Sequence, residues 1–177
     1  MTLYLVRHPR PDVAPGLCYG ASDVPVPEAE LARVHAALAQ RKLDDLPVYA
    51  SPLQRCALLA ERLASGRVTF DARLAEMDFG AWELHPWSAI PRADVDAWTA
   101  DLLHYRPGGA ENVLDVARRV HAFVDDLRVP AALIVCHAGT IRLLAALHGG
   151  ASLEQAALHA ARTPHRIGYG DVVVLKD

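Results

Sequence analysis

Short apolar runs alternate along this chain with longer stretches in which apolar residues recur every three or four positions. Near-continuous runs at Leu3–Val6, Val48–Ala50 and Ala132–Cys136 predict strands buried on both faces of a parallel sheet. Two further strands are predicted at Arg67–Phe70 and Asp171–Lys176. Because strands that alternate with helices favour parallel pairing, the pattern predicts a layered α/β domain with a mainly parallel sheet.

Helical periodicity fills the segments between these runs. Leu31, Val34 and Leu38 mark one face of a helix predicted over Pro27–Lys42, and Glu111–Arg128 carries the clearest apolar face of the chain. Ser51 and Pro52 are predicted as the N-cap and first position of the next helix. That helix is predicted to run on over Leu53–Ala64. The other predicted helices cover Arg92–His104, Ala138–Leu147 and Ser152–Ala161.

Length and composition narrow the class of protein. The 177 residues fit a single domain, 1–177, and neither a repeat nor a linker divides them. A hydrophobic content of 52% with 22% charged residues is that of an ordinary globular protein. The formal net charge of −3 offers no basic excess, so we expect neither nucleic acid nor a membrane as a partner.

Compartment and cofactor content are predicted from what the sequence lacks. The first residues show no signal-peptide pattern and no run of eighteen apolar residues occurs, so we expect a cytoplasmic protein. Cys18, Cys56 and Cys136 are odd in number and widely separated, which favours reduced thiols. Without CxxC or helical HxxxH pairs, we expect no metal and no other cofactor.

Candidate chemistry follows two of the apolar strands. Arg7 and His8 end the first strand, and His137 ends the run Ala132–Cys136. Ligands of open α/β sheets bind beyond the carboxyl ends of the strands, where these side chains are expected to lie. Arg55 is predicted in the first turn of its helix, close to the same edge. A guanidinium fork binds phosphate oxygens, and a neutral imidazole can attack phosphorus or carry protons.

A carboxylate that could serve as general acid is less well defined. Glu76 lies in the irregular stretch 71–82, but Asp71, Asp78 and Glu83 compete with it on the sequence alone. Glu111 suits a helix start, where the helix dipole favours a negative charge, and we leave it out of catalysis.

Five segments, taken in order, resemble the histidine phosphatase (phosphoglycerate mutase-like) superfamily. They are Leu5-Val6-Arg7-His8, Ser51-Pro52-Leu53-Gln54-Arg55, Leu74-Ala75-Glu76 with the run to Glu83, Pro107-Gly108-Gly109-Ala110-Glu111, and Val135-Cys136-His137-Ala138-Gly139. The resemblance covers nearly the whole chain. It implies a three-layer α/β/α sandwich of the phosphoglycerate mutase-like kind and a small-molecule phosphate ester as substrate.

The resemblance also implies roles for individual residues. His8 looks like the nucleophile that forms a phosphohistidine, and Glu76 looks like the proton donor to the leaving alcohol. Arg7, Arg55 and His137 look like the phosphate cradle, the set of side chains that holds the phosphoryl oxygens. Such a site supplies its own positive charge, so we expect a metal-independent phosphatase. Residues expected to contact the substrate are Arg10, Tyr19, Gly20 and Ala138.

The sequence departs from the family pattern directly after the nucleophile. Pro9-Arg10-Pro11 replaces the usual Gly-Glu-Thr or Gly-Glu-Ser, and Ala14 stands where an asparagine is often found. Pro9 has no amide hydrogen and Pro11 no hydroxyl, so phosphate contacts are lost that Arg10 could replace. The loop 10–20 and the segment 79–83 look most like those of small members assigned as α-ribazole-5′-phosphate phosphatases of cobalamin biosynthesis.

Three other functions stay open at the level of sequence. A phosphoglycerate-type mutase would use the same residues, although family mutases are generally longer. Cys136 and Arg142 match the Cys-x5-Arg loop of cysteine-dependent phosphatases, but strand alternation points Cys136 away from the side that His137 faces. A non-catalytic module that binds phospho-ligands would need neither His8 nor Glu76.

Overall fold

The computed structural model describes residues 1–41, 43 and 45–177. Its strands are β1 (Thr2–Arg7), β2 (Val48–Ala50), β3 (Val68–Phe70), β4 (Ala131–Cys136) and β5 (Val172–Lys176). Its helices are α1 (Glu28–Ala39), α2 (Gln54–Leu63), α3 (Arg92–Ala100), α4 (Val113–Asp126), α5 (Ala138–His148) and α6 (Leu153–Arg162). Single 3₁₀ turns lie at Ala72–Leu74, Gly80–Trp82, Trp87–Ala89 and Pro107–Gly109.

The sheet has the strand order β3-β2-β4-β1-β5. β4 pairs in parallel with β1 and β2, β2 pairs in parallel with β3, and β5 alone runs antiparallel, along β1. The predicted mainly parallel sheet is therefore confirmed. Arg7 pairs with Cys136 in the β1–β4 register, so the residues that follow them, His8 and His137, emerge side by side at one edge.

Alternate residues of the central strands face two separate apolar cores. Leu3 and Leu5 of β1, with Ile134 of β4, pack beneath α4, α5 and α6. Leu133 and Val135 point the other way, into a core with α1 and α2. Helices thus cover both faces of the sheet, and the expected three-layer α/β/α sandwich is confirmed.

The start of α2 differs from the prediction made for Ser51 and Pro52. Leu53 is the N-cap and Gln54 the first helical residue, so the helix begins two positions later than predicted. The Ser51 side chain is directed instead toward His137, with 2.8 Å between Ser51 Oγ and His137 Nε2. Arg55 still lies in the first turn, as predicted.

Other helix ends follow side-chain hydrogen bonds. Asn112 with Asp115, and Ser152 with Gln155, form capping boxes that start α4 and α6. α3 stops at Ala100 rather than at His104. α1 ends at Ala39, and the predicted end at Lys42 lies outside the described residues. None of the helices in the described part of the chain combines the length and apolar composition needed to cross a membrane.

Candidate active site

A cavity of about 370 Å³ lies where β1 and β4 end. Side chains from distant parts of the sequence share its wall, among them Arg7, His8, Arg55 and Glu76. His137 lies against His8, with 5.1 Å between the two ring centroids. The five side chains that sequence analysis predicts as catalytic are therefore brought together at one edge of the sheet.

His8 is held by one ring nitrogen, which leaves the other free. It is 3% exposed, and its Nδ1 lies 2.7 Å from the carbonyl oxygen of Pro9. Since a carbonyl oxygen can only accept, Nδ1 carries the hydrogen and Nε2 keeps its lone pair. Burial, followed by the charges of Arg55 and Arg7, lowers the pKa of His8 to about 3. The ring is therefore neutral at physiological pH.

His137 is fully buried beneath His8. Its Nε2 lies 2.8 Å from Ser51 Oγ and 3.5 Å from Cys56 Sγ. Burial, together with His8 and the nearby arginines, lowers the pKa of His137. Ser51 is therefore not the helix cap that was expected, and its hydroxyl instead orients the neutral imidazole of His137 against His8.

Arg55 is a cation with no exposed surface. It donates from Nη1 to the carbonyl of Ser22, at 2.8 Å, and from Nη2 to the carbonyl of Gly20. These carbonyls hold the guanidinium in position without neutralising it. Gly20 is required at this point, because a Cβ there would lie 1.8 Å from the carbonyl oxygen of Met77.

Arg7 is held in a similar way from the other side. Its Nη1 donates to the carbonyl of Ile167, and its Cζ lies 3.9 Å from the ring centroid of Tyr169. Tyr169 also packs on His8, with 5.6 Å between ring centroids. The two cradle arginines therefore reach His8 from different elements, Arg7 from the end of β1 and Arg55 from the first turn of α2.

Neither cradle arginine has a neutralising partner. Within the described residues, no carboxylate lies at ion-pair distance from Arg7 or Arg55. The Nε atoms of both arginines are buried and lack a hydrogen-bond partner. Buried cations with free donors are costly unless an anion meets them. The cavity is thus built to receive an anion.

Glu76 is separated from its sequence competitors by its surroundings. It lines the cavity, accepting hydrogen bonds from the backbone of Met77 and of Gly139 at the start of α5. A Cβ on Gly139 would lie 2.5 Å from Glu76 Oε1, so this close approach depends on glycine. Asp71 pairs with Arg73, and Asp78 accepts from the backbone of Gly80. Neither of these aspartates is among the cavity-lining residues.

Glu83 has a structural role. Its carboxylate accepts hydrogen bonds from the backbone of Gly20, Ala21, Ser22 and Phe79. Burial alone would raise the pKa of Glu83, but these bonds together with the Ser22 hydroxyl hold it below its usual value. Glu83 therefore fixes the loop whose carbonyls hold Arg55.

An ion pair on α4 fixes the segment that carries Glu76. Arg119 pairs with Glu111 and donates to the carbonyls of Arg73, Ala75 and Glu76. Glu111 also accepts from the backbone of Asp78. Glu111 thus helps to hold the segment that carries Glu76.

The far side of the cavity is apolar and aromatic. Phe79, Trp87 and Trp98 line it, and the rings of Trp87 and Trp98 stack at 8° with centroids 6.3 Å apart. Trp87 is 41% exposed, whereas Trp82 is buried behind these rings as core. The same cavity therefore joins charged side chains with an aromatic wall.

Cys136 does not take part in the site. Its thiol is fully buried in the core with α4, α5 and α6, and burial raises its pKa well above the usual value. A thiol in this position is neither ionised nor exposed to the cavity, as strand alternation predicts. Arg142, the other end of the Cys-x5-Arg pattern, does line the cavity.

The residues expected to contact substrate divide into two groups. Tyr19 and Ala138 line the cavity. Gly20 does not, because its N–H donates to Glu83 and its carbonyl accepts from Arg55. Arg10 is also absent from the wall, and its exposed guanidinium lies 5.4 Å from the ring centroid of Tyr169.

Three polar residues of the site were not assigned to it from sequence. Arg142 and His165 line the cavity, and Tyr169 packs on Arg7 and His8. His165 and Tyr169 lie in the segment between α6 and β5, where no periodic pattern distinguishes one position from another. On sequence alone, Arg142 belongs only to the Cys-x5-Arg pattern.

The mainly parallel sheet, with helices on both faces and a cavity at one edge, is the phosphoglycerate mutase-like fold. The family model described as "Histidine phosphatase superfamily (branch 1)" matches residues 3–166. The chain therefore belongs to the histidine phosphatase superfamily, and the resemblance noted in the sequence is confirmed.

Several of the similar proteins and solved structures are named as phosphatases. "Putative phosphoserine phosphatase 2" of Hydrogenobacter thermophilus is 28% identical over 166 residues, which cover 86% of this chain and 80% of the relative. The α-ribazole phosphatase of Shigella flexneri superposes with a TM-score of 0.84 at 25% identity, covering 99% of this chain and 90% of the other. A mycobacterial glucosyl-3-phosphoglycerate phosphatase gives a TM-score of 0.76 at 25% identity, with 99% and 89% covered.

Proposed function

We propose that this protein is a phosphomonoester hydrolase that works through a phosphohistidine on His8. The observation that carries the proposal is that Arg7 and Arg55, neither paired with a carboxylate among the described residues, line the same cavity as the neutral imidazole of His8. A phosphoryl group bound in this cavity would neutralise both charges. Positioned positive charge is the main requirement of phosphoryl transfer.

The proposed reaction has two steps. In the first, His8 Nε2 attacks phosphorus and the bond to the ester oxygen breaks, while protonated Glu76 gives its proton to the leaving alcohol. In the second, water attacks the phosphohistidine and loses a proton to Glu76, which releases inorganic phosphate and frees the imidazole. The proton that Glu76 gives in the first step is thus recovered in the second.

We also propose that the reaction needs no metal ion. Arg7 and Arg55 supply the charge that a metal ion supplies in other phosphatases. Dialysis against a chelator should leave turnover unchanged, and loss of activity that added magnesium or zinc restores would refute this part of the proposal.

The substrate that we propose is a small cytoplasmic ester with a flat apolar group, with α-ribazole 5′-phosphate of cobalamin biosynthesis as the first candidate. The aromatic wall of Phe79, Trp87 and Trp98 supports a ring-bearing leaving group. The Shigella flexneri structure and a structure from Escherichia coli, both named as α-ribazole phosphatases, support the same choice. A panel that also contains 3-phosphoglycerate, phosphoserine and 2,3-bisphosphoglycerate tests it, and a mutase would isomerise the phosphoglycerates without releasing phosphate.

The central test compares His8→Ala with Cys136→Ser on p-nitrophenyl phosphate. We expect His8→Ala to abolish turnover and Cys136→Ser to retain it. Wild type that reacts with a substrate labelled in its phosphoryl group, and is then quenched rapidly without acid, should carry an acid-labile label on the protein. His8→Ala should carry none. Equal hydrolysis by wild type and His8→Ala would exclude the phosphohistidine, and an inert wild type that still binds phosphate would indicate a binding module.

A further inference from the structure

The segment between α6 and β5 contributes one side of the site. Arg7 Nη1 donates to the carbonyl of Ile167, and the Gly170 N–H donates to the carbonyl of Arg7 at 3.0 Å. Between these two contacts, the Tyr169 ring lies 3.9 Å from Arg7 Cζ. The family model ends at residue 166, so these contacts come from a part of the chain that it does not describe.

An aromatic face holds a cation in a way that a carboxylate cannot. A carboxylate would neutralise Arg7 and compete with the phosphate for its donors. The negative face of a ring attracts the guanidinium, yet it leaves the full positive charge and the N–H donors free. Contact between Tyr169 and Arg7 therefore suits an arginine that has to bind an anion.

Arg55 is held by the same combination of groups. Carbonyls of Ser22 and Gly20 accept its hydrogen bonds, and its Cζ lies 5.6 Å from the ring centroid of Tyr19. Each cradle arginine is thus paired with backbone carbonyls and one tyrosine.

The two tyrosines also contact each other. Tyr19 Oη and Tyr169 Oη lie 3.1 Å apart and share a hydrogen bond. Burial, followed by this bond, raises the pKa of Tyr19, so the Tyr19 hydroxyl keeps its proton. The bond joins the loop after His8 to the segment before β5, across 150 residues of sequence.

We propose that Tyr19 and Tyr169 are positioning residues that hold the two cradle arginines in register without reducing their charge. The inference rests on the proposed phosphatase function and assigns a task to two residues outside its chemistry. Of the two, Tyr169 has the larger share, because its ring is closer to its arginine and also packs on His8.

The test measures the dissociation constant of orthovanadate, an analogue of the transferred phosphoryl group, and does not depend on turnover. The variants are Tyr169→Leu and Tyr169→Met, which remove the ring, and Tyr169→Phe and Tyr19→Phe, which remove only a hydroxyl. Tyr105→Leu is the matched control, since Tyr105 packs on Trp82 and does not line the cavity. Thermal unfolding of each variant shows whether it is folded.

We expect Tyr169→Leu and Tyr169→Met to weaken vanadate binding about tenfold, the scale of a partly desolvated cation–π contact. Their kcat/KM should fall by the same factor for every ester, because the defect lies in the phosphate cradle. The vanadate dissociation constants of Tyr169→Phe and Tyr19→Phe should stay within about threefold of the wild-type value. That of Tyr105→Leu should equal the wild-type value.

Three results overturn the inference while leaving the proposed function intact. The first two are a folded Tyr169→Met that binds vanadate as wild type does, and a Tyr169→Phe that loses as much affinity as Tyr169→Met. A loss confined to esters with large leaving groups would likewise overturn it and assign Tyr169 to substrate contact. Wild type that binds no vanadate would reject the phosphate cradle itself, and the proposed function with it.

Discussion

Two pairs of arginines lie within this structure, and they are held in opposite ways. Arg73 and Arg119 each form an ion pair with an acidic side chain, Asp71 and Glu111 respectively. Arg7 and Arg55 are held by backbone carbonyls and tyrosine rings, and no described carboxylate pairs with them. Residue type is the same in both pairs, and the difference lies in the partner.

The difference shows which charges are available to a ligand. An arginine that is paired with a carboxylate uses its hydrogen-bond donors within the protein, and the carboxylate cancels its charge. An arginine fixed by carbonyls and rings keeps its charge for whatever enters the cavity. The carboxylates follow the same rule, since Glu83 accepts bonds from four backbone positions and Glu76 remains in the cavity wall.

The largest effect is expected at Glu76, the carboxylate in the cavity wall. Glu76→Gln should lower turnover of an alkyl phosphate by about 10²–10⁴-fold, the usual contribution of general acid–base catalysis. The loss should be smaller for p-nitrophenyl phosphate, because its leaving group needs no proton. Steady-state rates on the two esters measure this, and equal losses would argue against Glu76 as the acid.

The next effect separates the two pairs of arginines directly. Arg55→Gln should lower kcat/KM by about 10²–10³-fold, as the loss of an oxyanion-stabilising donor does elsewhere. Arg73→Gln, the matched control, should leave kcat/KM within about twofold and lower the free energy of unfolding by about 1 kcal/mol, since its ion pairs are partly exposed. Denaturant titration and kinetics on both variants check this, and similar kinetic losses would remove the distinction between the pairs.

The smallest effect concerns stability against acid. The pKa of His8 falls from its ordinary 6.5 to about 3 on folding, so between these values the unfolded chain binds a proton that the folded chain does not. Stability is therefore complete above pH 6.5 and decreases as the pH falls toward 3, with His8 contributing a loss of about 2 kcal/mol between pH 7 and pH 5. His137, whose pKa is lowered as well, adds a loss of the same sign.

Urea titrations of wild type and His8→Asn in phosphate-free buffers measure this contribution. The variant lacks the titrating ring, so its stability should decrease less steeply from pH 7 to pH 5. Parallel pH dependences for the two proteins would show that His8 does not carry the effect.

Local pattern determined the architecture and the identity of the central residues. The apolar runs of β1 and β4 can be recognised in the sequence because a strand buried on both faces needs apolar residues throughout. A polar residue directly after such a run must lie at the edge of the sheet. His8, His137 and Arg55 could therefore be located from the sequence, and Cys136 could be placed on the opposite face from strand alternation alone.

Only the tertiary structure decided which partners each charge has. Whether Ser51 caps a helix or meets His137, and whether Glu76 or Glu83 stays in the cavity wall, depends on contacts between segments far apart in the chain. Tyr169 contacts Arg7 although 162 positions separate them in the sequence. Arg10 does not line the cavity, although His8, two residues before it, does. Electrostatic and hydrogen-bonding roles are properties of neighbours in space, and local sequence carries no record of them.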